Sequence, residues 1–324
     1  MRLGLVGGLT ALSLLAVSTA SAQVIGIVTT PAGSFTNSIG AAVAKVVVEH
    51  GKMRATVTPQ QSHGQEAVND GSAELSLASL SDVQHYVTGT VDWAGKGEHK
   101  NIRIITRLIP IRTAGFVRKD SPIKSLAEIK GKRISWGYGS QKAVQRVVNA
   151  QLAIAGLGEN DVQKVLAPNI TAAADDFIAN KTDVFWFATG SAKVKQASAS
   201  VGGIRALPIT DKPEAVKAMQ THVPGSYPMV LNPAPPLDGI LEPTMVMGYD
   251  VVLFTNVNVK EDVIYRITKA VHQNKKDMAV VFRPMAGFEP NRMATEYDHL
   301  QYHPGAVKFF KEIGQWPPKR NPGT

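Results

Sequence analysis

Residues 24–80 read VIGIVTTPAGSFTNSIGAAVAKVVVEHGKMRATVTPQQSHGQEAVNDGSAELSLASL, and the change of pattern along this stretch decides the fold. Val24 to Val28 is short, apolar and β-rich, which predicts a strand. A polar loop, Thr29 to Asn37, follows. Ile39, Ala42, Val43, Val46 and Val47 then recur at i, i+3, i+4, i+7 and i+8, one buried face of a helix. Gly51 stops that helix, as glycine does just past a helix end. Met53 to Thr58 predicts a second strand, Glu66 to Asp70 a short helix, and Leu75 to Leu80 a third strand. This βαβαβ order predicts a mostly parallel sheet covered by helices.

The same grammar recurs further along. Arg103 to Val117 predicts a long, largely extended stretch, Ser125 to Ile129 a short helix and Arg133 to Trp136 a strand. Gly137-Tyr138-Gly139-Ser140 predicts a tight turn with Ser140 as the N-cap of the next helix. That helix carries Val144, Val147, Val148, Leu152 and Ala155 on one face and closes at Gly156. Asp183 to Phe187 predicts a buried strand. Lys212 to Pro243 holds seven prolines, a density that forbids long helices and central strands and predicts a connection over the surface. Tyr249 to Phe254 predicts one more strand and Asp262 to Val281 a single helix. The expectation is an α/β protein of two parallel-rich lobes with a cleft between them. Lobe 1 comprises residues 23–112 and 209–324, and lobe 2 residues 113–208.

The ends of the chain and its composition narrow the function. Arg2, the apolar run Leu3 to Val17, and Ala20-Ser21-Ala22 before Gln23 form the three parts of a secretory signal peptide. Residues 1–22 are therefore expected to be cleaved, leaving a periplasmic protein. An apolar core of about 15 residues is short of the roughly 20 that cross a bilayer. Cysteine is absent, which excludes thiol nucleophiles, zinc–cysteine sites and iron–sulfur clusters. The net charge is +9, yet lysine and arginine are scattered and aromatics make up only 6%. A nucleic-acid protein concentrates its basic residues on one face. No nucleic-acid partner is expected, and the charge suits anionic solutes or surface solubility.

Ligands of open α/β sheets bind beyond the carboxyl ends of the strands, which singles out five loops. Gly137, Tyr138, Gly139, Ser140, Gln141 and Lys142 place backbone N–H groups, a hydroxyl and a charge at a helix start, an arrangement that favours a carboxylate or phosphate. Ser34, Thr36 and Asn37 offer hydroxyls and an amide, with Phe35 as an apolar wall; the same residues also suit capping of the following helix. His63 and Ser79 follow the second and third strands, and Asp82 suits either an amino group or a helix cap. Phe187 ends the Asp183–Phe187 strand and Gly190 lies in the loop after it, although Phe185-Trp186-Phe187 reads first as core. Arg107 and Arg112 are natural carboxylate clamps whose default is surface exposure. His299 and His303 stand four apart beside Asp298, but no third ligand is evident and Pro304 disfavours a helix there, so no metal is expected.

Several segments resemble the TAXI family, the TRAP-associated extracytoplasmic solute receptors. They are Gly33-Ser34-Phe35-Thr36 with Ile39-Gly40, Val117 to Ser121 running into Ile123 to Arg133, Val201 to Ile209, and His303 to Gly314. The KSLAEIKGKR stretch is shared by many type II periplasmic binding proteins, whereas the terminal HPGA segment is more particular to TAXI receptors. The resemblance implies a type II-like bilobal periplasmic binding protein, closure about a hinge, and TRAP transporter membrane subunits as partners. The first loop departs from relatives that carry two tyrosines, the corresponding positions being Thr36 and Asn37. Competing readings are a binding protein of an ATP-driven importer, an extracytoplasmic sensor for a histidine kinase, and an enzyme on the same scaffold. G-x-S-x-G, H-E-x-x-H, EF-hand and G-x-G-x-x-G patterns are absent. The expected protein is not an enzyme, needs no cofactor, and captures a small anionic, carboxylate-type metabolite.

Overall fold

A computed structural model describes residues 24–61 and 64–320. The expected signal peptide, 1–22, and His63 lie outside the described residues. The opening stretch folds as its pattern dictates. β1 (Val24–Thr29), α1 (Phe35–Glu49), β2 (Arg54–Pro59), α2 (Gln65–Asn69), β3 (Leu75–Ser79) and α3 (Leu80–Thr88) follow in order, and β4 (Ile102–Arg107) completes this part. β1 pairs in parallel with both β2 and β3. Ile39, Val43, Val46 and Val47 of α1 have no exposed surface. Each such burial stabilises by roughly 1.5–3 kcal/mol, which is why a β-branched helix holds its place here.

The extended stretch 103–117 is broken by Leu108-Ile109-Pro110, and its halves serve different sheets. β5 (Ile111–Arg118) is the spine of the second sheet. β6 (Arg133–Gly137), α4 (Lys142–Ala153), β7 (Gln163–Ala167), α5 (Ile170–Ile178), β8 (Phe185–Ala188), α6 (Ala192–Ser200) and β9 (Ile204–Leu207) come next. The proline-rich segment holds α7 (Pro213–His222) and β10 (Tyr227–Leu231), and β11 (Thr244–Tyr249) follows it directly. Here the structure departs from the expected irregular connection. Pro213 sits in the first turn of α7, where its missing N–H costs nothing. Pro228 lies in β10, the edge strand of its sheet.

Two sheets result. The first has the order β2-β1-β3-β12-β4, where β12 (Val251–Asn256) runs antiparallel to both β3 and β4. The second has the order β10-β11-β5-β8, with β9 also on β5, and every pairing in it is antiparallel. β6 and β7 of that half pair in parallel as a separate two-stranded sheet, and Ile134 of β6 also bridges Val184 in parallel. The expected α/β class stands, but the second half is not parallel-rich. The cause is β5, which runs antiparallel to each of its partners β11, β8 and β9. β10 and β11 belong to the second sheet, so the chain goes back to the first sheet at Asp250 and not at residue 209. Gly115 of β5 lies opposite Trp186 of β8, and a Cβ there would come within 2.5 Å of the indole. The aromatic run 185–187 is fully buried, as core.

The expected strand 249–254 is in fact the junction of β11 and β12, and the expected helix 262–281 is two, α8 (Glu261–Gln273) and α9 (Lys275–Val281), parted at Asn274. α10 (Pro304–Glu312) packs on α8. The two chain crossings between the sheets are pinned together. Arg107, at the end of β4, donates to Asp250 from Nε and Nη2, each at 2.9 Å, and Tyr227 and Tyr297 hydroxyls reach the same carboxylate at 3.3 and 3.4 Å. Burial opposes the Arg107 charge, but the hydrogen bonds and charge of Asp250 outweigh it and hold the guanidinium firmly protonated. Arg107 is thus buried structure where the sequence default was a surface residue.

Candidate functional site

The space between the two sheets is built at the strand ends where theory places a ligand. α3 begins directly after β3, and the Ser79 hydroxyl caps it by accepting from the Asp82 N–H at 3.2 Å. α4 begins after β6 through a turn that needs left-handed backbone at Gly137 (φ 89°) and Tyr138 (φ 41°). A non-glycine residue there costs on the order of 1 kcal/mol. The turn is held because the Tyr138 ring is wholly buried and the Gly137 N–H donates to Gln145 Oε1 at 2.7 Å.

A cavity of about 340 Å³ opens between these helix starts. Gln61, Gln65, Glu66, Asp82, Asp92, Trp93 and Lys96 line it from the side of the first sheet. Gly139, Ser140, Gln141, Lys142, Ala143 and Arg146 line it from the side of the second. The volume lies at the small end of the 300–1,000 Å³ range of ligand pockets. A smaller recess of about 40 Å³ lies beside it, lined among others by Ser79, Ser81 and Tyr249, and it shares Asp82, Ala143 and Arg146 with the first. Arg146 dominates the electrostatics. Its Nη2 pairs with Asp82 and its Nη1 with Asp92, so a cation on α4 is held by two carboxylates from the opposite wall. Burial and then the Arg146 charge push the neighbouring His85 imidazole below its usual pKa, although Asp82 opposes the shift. Asn169 Nδ2 donates to Gln61 Oε1 at 2.6 Å and the Lys193 N–H to the Gly33 carbonyl at 3.4 Å, so the two halves touch at the cavity lining and at loop 30–37.

The structure brings part of the sequence-predicted set to this cleft. Gly139, Ser140, Gln141 and Lys142 line the cavity, and Ser79 lines the recess. Ser140 is not the helix cap. Its hydroxyl donates to the Pro168 carbonyl at 2.8 Å, the N-cap is Gln141, and the Gln141 amide oxygen accepts from the Ile170 N–H at the start of α5. Gly137 and Tyr138 shape the turn from behind. Phe35 is no pocket wall: it is buried edge-on against Phe282, with ring centroids 5.3 Å apart. Phe187 is likewise core, and Gly190 (φ 76°) packs close to Pro284 and the Pro236 carbonyl. Ser34, Thr36 and Asn37 lie outside both cavities. Ser34 caps α1, Thr36 bonds to Thr30, and Asn37 Nδ2 donates to Thr29 Oγ1 at 3.0 Å.

Arg146, Asp92, Trp93 and Glu66 had not been singled out. The only trace of Arg146 in the sequence is its place one turn beyond Lys142 on the same helix. Arg112 is half-buried with an unbonded Nε, its pKa lowered by burial, and it is not a surface residue. His303 is structural. Nδ1 accepts from the Gly305 N–H at 3.1 Å and caps α10, while Nε2 donates to the Val259 carbonyl at 2.9 Å. Among the described residues, the ligand atoms of Glu49, His50 and Asp277 lie within 4.8 Å of one another on the surface, and His50 Nε2 already bonds to Asp277 at 2.7 Å. Also among them, no helix is long and apolar enough to cross a membrane.

Known proteins share this architecture. PhnD1 from Prochlorococcus marinus (MIT 9301), solved in complex with methylphosphonate, is 11% identical over 90% of this chain and 97% of its own, with a TM-score of 0.51. A structure described as a periplasmic transporter is 15% identical over 90% of this chain and 93% of its own, with a TM-score of 0.52. The substrate binding protein of an amino acid ABC transporter is 11% identical over 82% and 97%, with a TM-score of 0.46. At such identities the likeness is one of fold, the α/β fold of periplasmic binding proteins. A family model described as the NMT1-like family matches residues 27–314.

Proposed function

The chain belongs to the NMT1-like family, and from that premise we propose that it is a periplasmic solute-binding protein that captures a small molecule in the cleft and presents it to a membrane importer. The observation that carries this reading is the cavity itself. It lies between two sheets, is lined from both sides by polar and charged groups, and is flanked by two pinned chain crossings at 108–110 and 250. A pinned double crossing lets the two halves rotate as units, and burying a solute between them is the ordinary use of such a hinge. The two lobes are read as 24–109 with 251–320, and 110–250.

The start of α4 offers backbone N–H groups and Lys142, and Arg146 adds a guanidinium, so the solute is proposed to carry an anionic group. No covalent step is assigned to the protein, and binding followed by release is its whole task. The expected TRAP partner rested on the TAXI resemblance alone. With the family established as NMT1-like, an ATP-driven importer becomes the first reading and a TRAP permease the second, kept for the HPGA segment at 303–306.

The test is a thermal-shift screen of protein stripped of ligand by unfolding and refolding. A solute that binds only the native state raises the melting temperature with concentration, by about 2.7 kcal/mol of stability at 100 times its Kd. The expected result is a hit among carboxylates, sulfonates, phosphonates or amino acids that is recovered unchanged. A hit consumed during incubation means an enzyme, and no hit from a broad screen of folded protein overturns the solute-binding reading.

A further inference from the structure

We propose that Asp92 is an internal stand-in for the anionic group of the solute, masking Arg146 until the solute displaces it. The proposal rests on the cleft being the solute site. Arg146 presents two faces of one guanidinium to two carboxylates that are not equivalent. The Asp82 side chain is 8% exposed and stands in the first turn of α3, with its N–H fixed on the Ser79 hydroxyl. Asp92 is 28% exposed and stands on the single helical turn Val91–Trp93 in the connection from α3 to β4. Asp82 is therefore the permanent partner and Asp92 the replaceable one.

The turn that carries Asp92 is itself strained. Val91 adopts φ 56°, a left-handed conformation that a β-branched residue avoids, and it does so while half exposed, so no core packing holds it there. Trp93 anchors the far side of the turn against Tyr86, with ring centroids 4.7 Å apart. Backbone bonds from Trp93 N–H to the Thr90 carbonyl and from Ala94 N–H to the Val91 carbonyl close the turn, and the Asp92 side chain adds the contact with Arg146.

Arg146 also lines both cavities, together with Asp82 and Ala143. Turning the guanidinium away from Asp92 joins the outer cavity to the recess floored by Ser79, Ser81 and Tyr249. An organic oxyanion such as a carboxylate, sulfonate or phosphonate fits the vacated half of the guanidinium, because Arg receives such groups through paired N–H donors. The floor hydroxyls then supply hydrogen bonds to its remaining oxygens. Asp92 acts as an intramolecular competitor. If it holds Arg146 about nine-tenths of the time, the apparent affinity for an anion falls about tenfold.

The test titrates succinate, ethanesulfonate and methylphosphonate into the wild type, Asp92→Asn, Asp92→Ser and the double variant Asp92→Asn/Arg146→Gln, following the melting temperature at low salt. Two replacements of Asp92 guard against a folding defect peculiar to one, and a cooperative melt without probe shows that each is folded. Both single variants are expected to respond to at least one probe at about one tenth of the wild-type concentration, and the double variant is expected to lose that gain. The masking role is overturned if neither single variant responds at lower concentration than the wild type, whether because all respond alike or because none responds. It is equally overturned if the double variant keeps the gain. Solute binding as such is judged separately by the broad screen on the wild type, which can succeed while the masking role fails.

Discussion

At the scale of single residues, two buried polar groups set conditions on stability. Arg107 and Asp250 form a buried, doubly hydrogen-bonded pair where the chain crosses between the sheets. Removing one partner of such a pair costs about 3–5 kcal/mol, because a charge is left buried without its counter-ion. Arg107→Met should therefore lower the urea midpoint strongly, and adding Asp250→Asn to it should recover part of the loss. His303 makes a different demand. It must be neutral to accept the Gly305 N–H, and burial lowers its pKa, as it does for His272 and His85. A histidine whose folded pKa is depressed contributes stability that is present above its unfolded pKa of about 6.5 and is lost as the pH falls through the lower folded value. The melting temperature is expected to drop as the buffer moves below pH 6.5. Asparagine caps a helix without titrating, so His303→Asn should flatten the slope measured between pH 7 and 5.

At the scale of elements, the legible parts were those whose pattern has one period and one partner. β1 and α1 were readable because five apolar residues repeat on a single helical face, and α1 keeps that face wholly buried. α8 and α9 were read as one helix because the apolar rhythm continues past Asn274, where the backbone leaves the helix (φ −122°, ψ 41°) and Nδ2 donates to the Ala270 carbonyl at 2.8 Å. The run Tyr249–Phe254 was read as one strand although a charged residue, Asp250, interrupts it. That residue marks the crossing, and a buried carboxylate finds its reason only once Arg107 is placed beside it. The cleft was half readable for the same cause. The turn at 137–142 announces itself locally, whereas Arg146 meets Asp92 and Asp82 across 54 and 64 residues of chain. α10 supplies a test at this scale. A Cβ on Gly305 would lie 2.2 Å from the Glu261 carbonyl oxygen and 2.8 Å from the Tyr265 nitrogen, both backbone atoms of α8 or its start. Gly305→Ala should cost about 1–3 kcal/mol by overpacking, read as a shifted denaturant midpoint with an unchanged slope.

At the scale of the whole molecule, two sheets joined by two crossings face each other across a charged cavity. On the proposed reading, binding and closure in that cleft are one event. Contacts of Asn169 with Gln61 and of Arg146 with Asp82 already span it. The central claim is that a small solute is held by both walls at once. Hydrogen exchange followed by mass spectrometry, with and without saturating amounts of the solute found in the screen, tests it most directly. The prediction is slowed exchange in three segments, around 64–69 and 82–96 on one wall and around 139–148 on the other, with the outer faces of both sheets unchanged. Slowing on one wall alone, or at a site away from both, would contradict a solute held between the lobes.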